Sequence, residues 1–310
     1  EDGGLLIAPE FSTQILKRAT SNPLSLMARC NNMSVTGNSM RINGLVDDDK
    51  STASVRHGGV IGYWIEEGHA YTGSKLKFRS TSLRLHKLGV LAYVTDELMS
   101  DAGQALGQFL TAAAGDEIGW LVDEAILFGS GVGKPLGMFA TANAAIATAS
   151  KVANQTADTI RAENISELWY HLPEAYRQNA MWCFNPELEA QFDQFNLGSF
   201  TAGGLVYMPL GGLSGLPYGT LKGKPVRFSD HAAAPGDLGD ALLFDPSQYV
   251  LITKGGVQTA MSIHLRFDYD EQVYKFTFRL DGAPAWDKSI KLAKSSSLFR
   301  VSPYVNLEAR

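Results

Sequence analysis

The sequence predicts an α+β fold, and three features carry that prediction. An amphipathic run from about residue 96 to 128 fits one helix of about 50 Å. Short apolar or alternating runs bounded by Gly, Pro, Asn and Asp crowd the region after residue 220, as strands do. The first 85 residues are extended in character, punctuated by glycine, and show no sustained helical period.

Residues 1–34 read as an arm, with one short helix around Phe11–Thr20. Such a segment buries little against itself and must lie on something else. Residues 35–85 read as a long two-stranded ribbon. Met40–Val46 and Val60–Ile65 flank the polar Asp47–Thr52, and Lys75–Leu85 alternates Leu76, Phe78, Leu83 and Leu85 with Lys75, Lys77, Arg79 and Arg84. An isolated hairpin is marginal in water, so a ribbon of this length implies a partner surface. After a strand at Leu88–Val94, Thr95 or Asp96 offers an N-cap. Leu98, Ala102, Leu106, Leu110, Ala114, Ile118, Leu121 and Ala125 then recur in steps of three or four, and a glycine-then-proline stop at Gly129–Pro135 ends the helix. Phe109, Leu110 and Leu121 are the expected anchors of this spine to its sheet. Further helices are expected at 165–179 and 186–195. Strands are expected at 180–184, 241–244, 249–253, 257–265, 273–280 and 289–292, with a hairpin around 221–226.

The 310 residues leave room for two compact domains and extended arms, and 45% hydrophobic with 19% charged residues argues against disorder. A net charge of -5 disfavours direct reading of nucleic acid, which calls for a basic surplus, but does not exclude a container around DNA. The two cysteines, Cys30 and Cys183, lie far apart with no CxxC, so neither a disulfide framework nor a zinc site is expected. No apolar run reaches the roughly 18 residues of a membrane span. No secretory signal pattern opens the chain, and a start at Glu1 suits proteolytic trimming.

The chemical motifs fail on their spacing. A phosphate-binding loop needs G-x-x-x-x-G-K-[ST] leading into a helix. Here Phe128 takes the first glycine position, Pro135 replaces the Ser or Thr, and the loop ends a helix. His57-Gly58-Gly59 has no G-x-S-x-G elbow to serve, since Ser214 in Gly212-Leu213-Ser214-Gly215 fails at the last glycine. The six histidines show no ligand spacing, and Asp47-Asp48-Asp49 lacks the alternation of a calcium loop. No catalytic residue, cofactor site or metal site is read.

Several segments resemble one family. Lys87–Asp101 resembles the strand-to-spine segment of the Hong Kong 97-type major capsid proteins of tailed phages. Gly129–Met138, with Gly133, Pro135 and Gly137, resembles their post-spine stretch, and Trp64 with Glu66 sits where they often carry a Trp/acidic pair. Tyr176–Trp182, Leu221–Asp230 and Arg279-Leu280-Asp281-Gly282 resemble three further pieces, in order and over nearly the whole chain.

The resemblance implies a Hong Kong 97-type fold with an N-terminal arm (1–34), an extended ribbon or E-loop (35–85), and a peripheral domain with the spine (86–140). An axial domain (141–252), closing peripheral strands (253–283) and a C-terminal return to the axial domain (284–310) complete it. It implies self-assembly as hexamers and pentamers into an icosahedral shell around double-stranded DNA. The partners it implies are a portal protein, a scaffold or prohead protease and a decoration protein, with no membrane. Ribbon residues Arg41, Trp64, Glu66, Lys75 and Lys77 are the expected inter-subunit contacts. Some members crosslink a ribbon lysine to a neighbour's asparagine, but Val257–Asp281 contains no asparagine, so no isopeptide bond is expected. An encapsulin-like compartment shell is the alternative of the same fold, and a soluble hydrolase or nucleotide-binding enzyme the alternative of another class.

Overall fold

The computed structural model describes residues 24–47, 49–51, 53–192, 219–295 and 299–310, with the side chains of 53–55, 101–105 and 267 set aside. The expected arm helix at 11–20 lies outside the described residues. A one-turn helix α1 (Leu26–Arg29) leads into β1 (Asn31–Ser34), β2 (Ser39–Leu45), β3 (Phe78–Arg84) and β4 (His86–Thr95). The spine α2 (Asp96–Phe128) follows, then β5 (Ala147–Ala149), α3 (Ala162–His171), β6 (Met181–Phe184) and α4 (Glu189–Phe192). Strands fill the remainder: β7 (Thr220–Leu221), β8 (Lys224–Phe228), β9 (Ala241–Phe244), β10 (Tyr249–Thr253), β11 (Gln258–Arg266), β12 (Glu271–Pro284), β13 (Ile290–Lys291), β14 (Arg300–Val301) and β15 (Tyr304–Leu307).

Two sheets organise the body. The first runs β1-β10-β12-β11, with β4 on the opposite side of β12 in a ten-residue antiparallel ladder from Thr95↔Glu271 to His86↔Leu280. The second runs β5-β15-β9-β6-β8-β7. These sheets cut across two sequence boundaries: β1, inside the arm, and β10, assigned to the axial segment, both belong to the first sheet. Residues 304–307 return to the second sheet between β5 and β9.

The spine is 33 residues long with Asp96 and Glu97 in its first turn, where carboxylates complement the helix dipole. Its packing is concentrated in the trailing half, where Val122, Ala125, Ile126 and Leu127 are all buried. In the leading half Leu106 is buried, while the expected anchors Phe109 and Leu110 are half-buried. Leu121 is also half-buried, because it borders an open cavity of about 140 Å³ shared with His86, Leu88 and Pro135. The trailing half joins the two sheets through one core. Ile118, Val122, Ile126 and Leu127 share it with Phe276, Phe278 and Leu280 of the first sheet and with Met181, Cys183, Leu242 and Phe244 of the second.

The helix stop depends on close backbone approach. Gly137 N–H donates to Gly129 O at 2.8 Å and Met138 N–H to Ile126 O at 2.8 Å, laying the exit strand along the last turn. A Cβ on Gly137 would stand 2.6 Å from Leu127 O, a separation that side chains do not adopt. The loop is therefore a helix C-terminus folded back on itself.

Two expected elements differ. The helix expected at 165–179 runs 162–171 and stops before Pro173, which has no N–H to continue the ladder; only a short 3-10 turn follows at Glu174–Tyr176. Val60–Ile65, expected as a ribbon strand, forms no ladder, and the paired part of the ribbon is β2 with β3, from Ser39↔Arg84 to Leu45↔Phe78.

Candidate assembly surface

The ribbon is fixed at its base and uncovered at its tip. At the base, Leu83 joins Val250, Ile252 and Ala283 in a small core, with Met40, Ile42 and Leu85 packed against it. Arg84 N–H donates to Asp281 Oδ2 at 2.7 Å, and Leu85 N–H donates to Asn38 O at 3.0 Å. Arg79 pairs with Asp287 at 3.1 Å and also donates to Ala285 O. Asp281 is buried, and desolvation raises its carboxyl pKa although the amides of Arg84 and Gly282 pull it down.

Beyond Phe78 and Leu45 only Gly58 and Gly59 among the described ribbon residues are buried. Lys77 N–H still reaches Gly58 O at 2.8 Å, but residues 62–78 are all exposed. Trp64 is 106% exposed and Tyr71 89%, with Tyr63, Leu76 and Phe78 also in solvent. Aromatic side chains carry large apolar areas, and a soluble monomer seldom leaves so many uncovered side by side.

The five expected ribbon contacts are all exposed. Arg41 lies in the paired base opposite Ser82; Trp64 and Glu66 lie in the tip; Lys75 and Lys77 lie on the returning limb. Phe109, Leu110 and Leu121 belong to the spine and are not part of this surface. A second exposed region escaped the sequence reading. Every residue of β11 is exposed, including Met261, Ile263 and Leu265, with Tyr269 just beyond. Its alternation was legible as a strand, but its outer edge has no partner strand among the described residues.

Asp123 was also missed, because next to Glu124 it reads as part of the polar face of the helix. It is buried and accepts the N–H groups of Ser25 and Leu26 at 3.0 and 2.9 Å, tying the arm's exit to the spine. Beside it, Glu124 meets His231 Nδ1 at 3.0 Å, with the Trp120 ring 4.8 Å from the imidazole.

The chemistry of these groups is structural. Burial pushes the Cys30 and Cys183 thiols up to about 12, so both stay protonated and unreactive. Among the described residues no three His, Cys, Asp or Glu side chains gather as metal ligands would. No helix among them is long and apolar enough to cross a membrane.

A two-sheet body spanned by one long helix, with a ribbon whose aromatic tip a single chain leaves bare, defines a structural protein of the capsid type. Comparison with known proteins agrees. The phage capsid family matches residues 3–295, and the chain belongs to that family. Its solved structural neighbours include the capsid of a native GTA particle (17% identity, TM-score 0.72, covering 99% of this chain and 97% of that one). They also include Mycobacterium phage Bobi (13%, 0.65, 98% and 96%) and Microbacterium phage Oxtober96 (15%, 0.63, 98% and 96%). No curated protein sequence matches it. The fold is the mixed helix-and-sheet fold of Hong Kong 97-type capsid proteins, and the chain is a virion structural component.

Proposed function

We propose that this chain is the major capsid protein of a tailed bacteriophage. It would assemble with copies of itself as hexamers and pentamers into an icosahedral head around double-stranded DNA, in the host cytoplasm and without catalysis of its own. The observation that carries the reading is the bare ribbon: Trp64 and Tyr71 are solvent-exposed on a limb whose base is firmly anchored. Covering them with a neighbour makes a heterologous contact, which closes into rings when the rotation permits. Arg41, Trp64, Glu66, Lys75 and Lys77 then lie against the adjacent subunit. The five-stranded sheet with the spine serves as the peripheral domain and the six-stranded sheet as the axial domain. Portal, scaffold, prohead protease and decoration proteins are the partners such a shell uses.

Negative-stain microscopy and sedimentation of the purified full chain test this. Closed shells or capsomers are expected, alone or with a scaffold supplied. A stable 33.6 kDa monomer at every concentration, with or without scaffold, overturns the reading.

A further inference from the structure

We propose that the cavity between the trailing half of the spine and the first sheet is a binding site for a small amphipathic anion, a monocarboxylate carrying one ring or a short alkyl chain. Lys134 at the mouth takes the carboxylate, and the apolar walls take the hydrocarbon.

The cavity has three walls of different origin. Leu121, Val122 and Ala125 of the spine form one, Leu88 of β4 and Leu280 of β12 the second, and Pro135 of the back-folded loop the third. Its volume is about 140 Å³. Apolar voids of about 150 Å³ stay dry and admit benzene. A trapped water needs roughly two to four polar partners, and none of these six side chains carries a hydrogen-bonding group. The space therefore suits hydrocarbon, about one ring of it.

The walls are held apart, so the cavity does not close on itself. Val122 and Ile126 pack with Phe278 and Leu280 in the main core, which fixes the helix to the sheet. Hydrogen bonds fix the loop: Leu136 N–H donates to Gly282 O at 2.9 Å, Gly131 N–H to Pro135 O at 3.2 Å and Gly137 N–H to Gly129 O at 2.8 Å. Leu88 and Leu121 are left half-buried at the edge of the space. A guest that covers them withdraws apolar surface from water with no rearrangement of the protein, the condition of a preformed site.

The mouth sets the polarity of the guest. Its ionisable side chains are those of His86, Glu124 and Lys134, since Lys87 stands opposite Arg279 on the face of the sheet turned away from Leu88. Glu124 is engaged by His231 Nδ1 at 3.0 Å. His86 lies opposite Leu280 beside Asp281, a carboxylate already held by the amides of Arg84 and Gly282. Lys134 is exposed and has no hydrogen-bond or ion-pair partner among the described residues. The charge left uncommitted at the mouth is thus the Lys134 ammonium, which selects an anion over a cation or a neutral molecule. Lys134 directly precedes Pro135, so the cation and an apolar wall belong to one stretch of chain. A phosphate gains nothing from the walls; a carboxylate on one ring uses both parts.

Thermal melting of the full chain with phenylacetate tests this. A guest of this size binds with a Kd on the order of 0.5 mM, so about 10 mM should raise the melting temperature by about 3 °C. Phenethyl alcohol should give a smaller rise and phenethylamine the smallest. In the methyl-labelled parental chain, the methyl signals of Leu88, Leu121 and Val122 should move on titration, while those of Val226 in the six-stranded sheet stay still. Leu121→Trp fills the space and should abolish the rise. Lys134→Glu, at an exposed position, should leave the fold intact and reverse the order of acid and amine. No rise with phenylacetate, an alcohol or amine that does as well, unmoved Leu121 methyls, or an unchanged order in Lys134→Glu overturns the proposal. So does a full rise in a folded Leu121→Trp chain; the methyl titration needs no variant and decides the site if that chain fails to fold. A rise seen in the subunit and lost in particles would mean that a neighbour's side chain fills the cavity in the shell, and that outcome overturns the proposal too.

Discussion

The trailing half of the spine should hold the subunit together, and Ile126→Ala measures how much. Ile126 is fully buried in the core that joins the two sheets. Truncation removes three carbon groups at about 0.8 kcal/mol each, about 2.4 kcal/mol of transfer free energy. A site walled by two sheets and a helix collapses poorly, so a cavity contribution of about 1–1.5 kcal/mol is added. Alanine's better helix propensity returns about 0.4 kcal/mol, leaving about 3 kcal/mol. Leu121→Ala, one turn earlier, is the internal control. Its side chain is half-buried beside an open cavity, so about half the transfer term is lost and no closed void forms. About 1 kcal/mol is expected there. The assay is urea unfolding of the unassembled subunit by far-UV circular dichroism. With a slope of about 3 kcal/mol/M, the midpoint should fall by about 1 M for Ile126→Ala and about 0.3 M for Leu121→Ala. Equal shifts, or a larger shift for Leu121, would refute the assignment of the core to the trailing half.

Gly137→Ala should cost more than about 2 kcal/mol and abolish particles, because its Cβ would stand 2.6 Å from Leu127 O; parental thermal stability would contradict the back-folded helix end. Asp123, Asp245 and Asp281 all have carboxyl pKa values raised by burial, so the folded state takes up protons before the unfolded chain does. Stability of the unassembled subunit should therefore rise as pH falls from 7 toward the ordinary carboxylate range of about 4, and a melting temperature falling steadily over that window would reverse the sign of the argument. Particles boiled in SDS should run as a 33.6 kDa band, since the closing strands offer no asparagine to a ribbon lysine; a ladder of covalent oligomers would show a crosslink chemistry outside that expectation.

What the sequence made legible divides along a physical line. The spine at 96–128 and the strands at 241–244 and 249–253 were readable because their burial is local and regular: an apolar row ended by Gly129 and Pro135, and short apolar runs bounded by Asp, Pro and Gly. The helix expected through Pro173 overshot because periodicity was followed past a residue that cannot donate the next hydrogen bond. Val60–Ile65 reads as a strand because its apolar residues suit burial, yet in the single chain they have nothing to lie against. Phe109, Leu110 and Leu121 fit the periodic row as well as Ile118 and Val122 do, and only the position of the sheets distinguishes them. Cross-strand neighbours were invisible for another reason: Lys87 and Arg279 are distant in sequence, and only the ladder between β4 and β12 sets them side by side.

The folding core and the bare surface occupy different residues, so subunit stability and assembly should separate, and Trp64→Ala tests that separation. At 106% exposure Trp64 touches essentially nothing in its own chain, so its removal should leave the urea midpoint of the unassembled subunit where it was. In a shell the same side chain buries on the order of 200 Å². At about 25 cal/mol per Å² this is an upper bound of about 5 kcal/mol, of which a central interface aromatic commonly delivers about 2–3 kcal/mol on truncation. Each lost contact then weakens association by roughly 30- to 150-fold. Because every subunit in a ring repeats the contact, the concentration at which light scattering first reports assembly should rise by at least that factor. Ile126→Ala should show the opposite pattern, a large fall in midpoint with the ribbon intact. A Trp64→Ala subunit that melts earlier, or that assembles at the parental concentration, would mean that the tip is buried within its own subunit in solution, and the reading of the ribbon as an inter-subunit arm would fail.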